Sequence, residues 1–137
     1  MMYKSNYDPK QFDLQDSNWK FISARDGELI ARVSDVNILE GVYRDEIIDA
    51  AMVTFRGFRL TWLTLFQGED EIPLSGEEAA ELLTKDSCFV FSYYCDAHEC
   101  ELAALAEQSF AMRFSFDSAE ISWDAFKERP VCTLIRK

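Results

Sequence analysis

Apolar and polar positions alternate with period two along much of this chain, the mark of strands that turn one face to a core. The pattern is clearest where Phe110, Met112, Phe114 and Phe116 interleave with Ala111, Arg113 and Ser115. Ala119, Ile121 and Trp123 carry it on against Glu120 and Ser122. Earlier in the chain, Trp19 to Ala24 and Leu29 to Ile38 flank Asp26-Gly27. That dipeptide tolerates positive φ at both positions and so predicts a tight hairpin. Within the second run Leu29, Ala31 and Val33 share one parity, and Val36 and Ile38 take the other. The change predicts a bulge near Ser34-Asp35.

The longest apolar stretch runs from Ile47 to Phe66. Its opening, Asp45 to Ala51, has helical composition, but Val53, Thr54, Phe55, Trp62 and Thr64 are β-branched or aromatic and favour strands. Two strands are expected, about Ile48 to Arg56 and Phe58 to Leu65, with Gly57 marking a turn or bulge between them. Gly68 to Glu71 reads as an acidic loop ended by Pro73. Ser75 then opens a helix, with Glu78 at capping-box spacing and Ala79, Leu82 and Leu83 as its apolar stripe. Cys88 to Cys95 reads as a strand with Phe89, Phe91 and Tyr93 on one face and Val90 and Tyr94 on the other. Asp96 to Glu99 turns it and Cys100 to Glu107 returns, while Val131 to Ile135 after Pro130 suggests an edge strand.

Strands, one helix and more strands joined by short connections predict an α+β domain that is mainly antiparallel β. A sandwich-like or strongly curved sheet with one short helix is the expected form. The 137 residues suit a single domain, 1–137. Residues 1–17 read as a polar N-terminal leader that docks late, and 18–137 as the β-rich core. Phe110, Met112, Phe114 and Phe116 should be buried together on a central strand, with Trp19, Phe55 or Phe91 among their neighbours.

Charge narrows the choice of partners. Twenty-five acidic against fourteen basic residues give a formal charge of −11. Such a surface repels phosphate backbones and anionic lipid, so neither nucleic acid nor membrane is expected, and it attracts basic proteins. No apolar signal-peptide core stands in Met1 to Asp8, which predicts a cytoplasmic protein with reduced cysteines.

One resemblance rests on this order of segments. Asp26-Gly27 with its following strand, then Val53-Thr54-Phe55-Arg56-Gly57-Phe58, then Phe114-Ser115-Phe116-Asp117-Ser118-Ala119-Glu120-Ile121-Ser122-Trp123, is similar to a loose set of small bacterial β-rich domains. Some members of that set occur as immunity proteins beside secreted toxins. The likeness covers Trp19 to Trp123. It implies a binding protein and transfers no catalytic residue.

Candidate chemistry is sparse. Cys95-Asp96-Ala97-His98-Glu99-Cys100 offers two thiols and an imidazole, but Cys-x-x-His-x-Cys is not a standard zinc spacing. The expectation is a hairpin loop with free thiols facing each other and no metal or other cofactor. With His98 as the one histidine, a nucleophile–base pair has little to draw on, and an enzyme is the lesser reading. Glu69, Asp70, Glu71, Glu77, Glu78 and Glu81 lie in a segment without Lys or Arg before Lys85, and they suggest a docking face for a basic partner. The function expected is therefore an acidic protein-interaction domain of the immunity or inhibitor kind. The alternative is a small-ligand module whose aromatic pocket draws on Trp62, Tyr93, Tyr94 and Trp123.

Overall fold

The structure is a computed structural model that describes residues 2–128. In chain order the strands are β1 (Tyr3–Asn6), β2 (Phe12–Asp13), β3 (Ser17–Arg25), β4 (Glu28–Ile38), β5 (Ile47–Arg56), β6 (Arg59–Gln67) and β7 (Asp70–Leu74). The helix α1 (Gly76–Lys85) follows, then β8 (Cys88–Cys95), β9 (Glu99–Leu105), β10 (Ser109–Ser115) and β11 (Ser118–Trp123). All join one antiparallel sheet of 11 strands in the order β1-β11-β5-β4-β3-β8-β9-β10-β6-β7, with β2 added against β4. This is the mainly antiparallel α+β class that the alternation predicts. The expected strand at Val131 to Ile135 lies outside the described residues.

The sheet curls until its two halves share one core. Phe55 on β5 meets Phe114 on β10 edge to face, with ring centres 5.1 Å apart, and Phe116 at 5.0 Å. Phe58 closes on Phe114 at 5.3 Å. Such edge-to-face pairs add to the area buried. Phe110, Met112, Phe114 and Phe116 are all buried, as the alternation requires. Of the alternatives Trp19, Phe55 or Phe91, it is Phe55 that meets them, while Phe91 faces solvent.

Local rules explain several junctions. Asp26-Gly27 closes the β3–β4 hairpin, Gly27 taking φ +88°. The parity change on β4 falls at Asp35, which adopts φ 54° while Val33 and Val36 both stay buried. Gly57 is a crossover rather than a hairpin turn, since β5 pairs with β4 and β11 while β6 pairs with β10 and β7. Here the chain passes from one half of the sheet to the other. Asp117 marks the return crossing, its N–H donating to the Arg56 carbonyl at 2.8 Å. With Gly57 at φ +75°, a Cβ there would run into the Asp117 carboxylate.

Three expectations are corrected. The leader is built into the sheet: β1 pairs with β11, β2 pairs with β4, and Tyr7, Phe12 and Leu14 are buried. A few well-spaced apolar side chains suffice, because Trp19 Nε1 donates to the Leu14 carbonyl at 3.2 Å and pins the segment down. The acidic stretch 68–71 is not a loop. Gly68 at φ 62° makes a two-residue turn, after which Asp70 pairs with Gln67 and opens β7. Pro73 fits because β7 has no second neighbour among the described residues and lies at the edge of the sheet they form. On α1, Ser75 does occupy the N-cap, but its side chain makes no capping hydrogen bond. Gly76 at φ +57° breaks the regular first turn that a capping box needs.

The halves meet through a short seam. β3 pairs with β8 only over Ser17–Val90, Asn18–Phe89 and Trp19–Cys88, and beyond it α1 packs along β3. Ala79 and Leu83 are buried beneath the helix, as the stripe predicts. Lys20 Nζ donates to the carbonyls of Thr84 at 3.2 Å and Lys85 at 3.4 Å, a cation at the negative end of the helix dipole.

Candidate functional site

Strand β8 explains why apolar side chains reach the outside. A bulge between Val90 and Ser92 resets the alternation, so Cys88 and Val90 point inward before it and Tyr93 after it. The period-two reading, which put Phe89, Phe91 and Tyr93 on one face, fails at this added residue. Phe89 and Phe91 are left 39% and 46% exposed, and Leu105, paired with Phe89 across β9, 53%.

The outer side of β8-β9-β10-β6 can be read in register rows. Phe89, Leu105, Ser109 and half-buried Phe66 form one row, and Tyr94, Glu101, Arg113 and Trp62 another. Between them lie the small residues Ala103, Ala111 and Thr64. Arg113 is the one base in these rows, and it is held by Glu99 and Glu101 at 3.1 Å each. Those two carboxylates, Glu99 foremost, raise its pKa further.

Acids gather where these strands turn. Glu69, Asp70 and Glu71 lie on the β6–β7 hairpin, with Glu71 directly opposite Phe66. Glu107 lies on the β9–β10 turn, and Asp86 follows the helix. Lys85 reaches Glu107 at 4.0 Å, with both side chains mostly exposed. The predicted acidic segment is thus divided. Glu69, Asp70 and Glu71 border the exposed apolar rows, whereas Glu77, Glu78 and Glu81 are exposed on α1, which packs on β3.

The four aromatic residues nominated for a ligand pocket do not converge. Trp62 and Tyr94 face outward in one row, 39% and 64% exposed. Tyr93 lies inside, its hydroxyl 2.9 Å from that of Tyr7. Burial raises the pKa of both phenols. Trp123 is buried in the core, stacked on Tyr3 at 5.4 Å and edge-on to Phe12 at 5.8 Å. An apolar cleft of about 460 Å³ does exist, between α1 and the ends of β3 and β6, lined by Phe58, Leu60, Ala79 and Leu83 with Arg25 among its polar groups. No local pattern of residues signals this cleft, because it arises where β3 leaves β8.

Cys95 and Cys100 are directly opposed across β8 and β9, as expected, but they are joined by a disulfide rather than left as free thiols. Asp96 fixes the intervening turn, its Oδ1 accepting the N–H groups of His98 and Glu99 at 2.8 Å each. Those two hydrogen bonds hold its carboxyl below the usual carboxylate range. Bonded to each other, the sulfurs are not thiolate ligands. No cluster of three metal-ligating side chains occurs among the described residues. His98 is exposed at the tip. Cys88 is a buried thiol pushed up to about 11 by desolvation. No described helix is long and apolar enough to cross a membrane.

Compared with family models, curated proteins and solved structures, the chain matches none of them.

Proposed function

We propose that this chain is a protein-interaction domain, of the immunity or inhibitor kind, whose outer β8-β9-β10-β6 face binds a basic protein. The observation that carries the reading is the exposed apolar group Phe89, Phe91 and Leu105 beside the acids of the β6–β7 and β9–β10 turns. Aromatic side chains anchor interfaces well, and a polar rim of one sign selects partners and speeds their approach. Both elements are present on one side of the sheet. The chain's −11 charge disfavours an acidic partner and also a second copy of itself.

The test begins by capturing partners on the immobilised chain and measuring association with the purified partner. Replacing Glu69 with Ser and Asp70 and Glu71 with Gln should keep the fold and slow association several-fold at low salt. The difference should vanish in concentrated salt, where charges more than about 3 Å apart are screened at 1 M. An acidic partner, or an unchanged rate at low salt, would overturn the reading.

The cleft beneath α1 favours a second reading, a module for a small apolar ligand held against Phe58 and Leu83. Thermal-shift screening with apolar fragments tests it, and a Leu83→Gln change should abolish any shift found.

A further inference from the structure

The two sulfurs of the Cys95–Cys100 bond meet different surroundings. Cys100 is buried, whereas Cys95 is half-buried and lines a cleft of about 640 Å³ between the hairpin tip and the segment Tyr7 to Lys10. Tyr93 Oη lies 3.5 Å from Cys100 Sγ. A disulfide sulfur carries no hydrogen, so Tyr93 must be the donor in that contact. Its single proton is then committed, so in the 2.9 Å contact between the phenols Tyr7 donates to Tyr93. A relay of two hydroxyls therefore points at the buried sulfur, while the other sulfur opens on a cleft.

This asymmetry suits thiol–disulfide exchange, in which a thiolate attacks one sulfur and expels the other. We propose that Cys95–Cys100 is a thiol-exchange site for a low-molecular-weight thiol, which enters the cleft and attacks Cys95 Sγ while Cys100 Sγ departs toward Tyr93. The bond between the two cysteines breaks and one between the incoming sulfur and Cys95 forms. The electron pair of the broken bond leaves on Cys100 as a thiolate, which accepts the Tyr93 hydrogen bond. A second molecule of the thiol then attacks the mixed disulfide and releases Cys95. Both cysteine thiolates take protons from water. Two small thiols are oxidised to one disulfide, and the protein disulfide is reduced to two thiols. Tyr93, with its raised pKa, remains a protonated donor through neutral pH. The freed Cys95 thiol has an acceptor in the Asp96 carbonyl, 3.3 Å from its sulfur.

The experiment treats the full folded wild-type chain and its tyrosine variants with reduced glutathione, treats the Cys100→Ser and Cys95→Ser variants with glutathione disulfide, and locates adducts by peptide mass mapping. Cys100→Ser leaves Cys95 as a free thiol, which should attack glutathione disulfide and hold a glutathione adduct while the second glutathione leaves as its thiolate. Cys95→Ser should leave Cys100 unmodified while the protein is folded. In the otherwise wild-type chain, Tyr93→Phe should slow reduction several-fold. Tyr7→Phe removes the outer hydroxyl of the relay but keeps the Tyr93 donor, and should slow reduction less than Tyr93→Phe does. Equal adduct formation at the remaining hairpin cysteine of the two cysteine-to-serine variants would overturn the proposal. So would reduction no faster than global unfolding, or a Tyr93→Phe rate equal to wild type.

Discussion

Across β1, β11, β5, β4 and β3 one outward row reads Lys4, Ser122, Met52, Arg32 and Lys20. Across β8, β9, β10 and β6 the facing row of the other half reads Phe89, Leu105, Ser109 and Phe66. Glu120 sits among the bases of the first face, 3.5 Å from Lys4 and 3.7 Å from Arg56. The second face leaves aromatic and aliphatic groups in water with acids at its edge. One continuous sheet thus carries a solvated face and an apolar one, joined by a seam of three residue pairs. Scattered exposed apolar residues are ordinary, but a contiguous set rimmed by charge marks an interaction surface. On the proposed reading, this contrast, more than the net charge, selects the β8-β9-β10-β6 face for the partner.

The largest effect should come from the interior that both faces share. Phe114→Ala removes the ring that joins Phe55 to Phe58, and should cost about 3–5 kcal/mol by chemical denaturation. A loss well below that would mean the two halves are not held by one core, and the comparison would fail. Removing the hairpin disulfide with Cys95→Ser and Cys100→Ser should cost about 2 kcal/mol, the entropy of closing a short loop.

Alkaline pH tests the same interior. The Tyr7 and Tyr93 phenols have folded-state pKa values raised above their ordinary 10.0, so the stability this neutral pair contributes is complete below that value. It should fall as pH rises past 10.0 toward the folded-state values, and Tyr93→Phe should flatten that decline in thermal melts.

The faces themselves should respond weakly. Glu120→Gln breaks two partly exposed ion pairs and should cost less than about 1 kcal/mol. Phe91→Ser, at a bulge position without a cross-strand partner, should change stability by no more than about 0.5 kcal/mol. The same change should nevertheless weaken binding of a captured basic partner, whereas Arg32→Ser on the other face should not.

Much of this architecture was legible in the sequence. The alternation of Phe110 to Phe116 located a buried strand, Asp26-Gly27 a hairpin, and the parity change at Ser34-Asp35 a real distortion of β4. These are local signals, set by a few adjacent residues. Strand order was not legible, since nothing around Gly57 tells a hairpin from a crossover until Asp117 is seen beside it. Nor was the inward turn of Tyr93, away from the face of Phe89 and Phe91, because one bulged residue reverses every later side chain on β8. The leader was misread because Tyr7, Phe12 and Leu14 are too widely spaced to show a period. Of the candidate surface, the acids of the β6–β7 hairpin were visible in the sequence, but their position beside Phe66 and Leu105 depends on long-range pairing.

The most direct test of the interaction face is photo-crosslinking in cells that express the chain. A photoreactive benzoyl-phenylalanine is placed at Leu105 in one variant and at Arg32 in another, so that each reports on one face. If the apolar face is the docking surface, position 105 yields a covalent adduct with a basic protein and position 32 yields none. Adducts from position 32 alone, or an acidic protein captured at position 105, would contradict it.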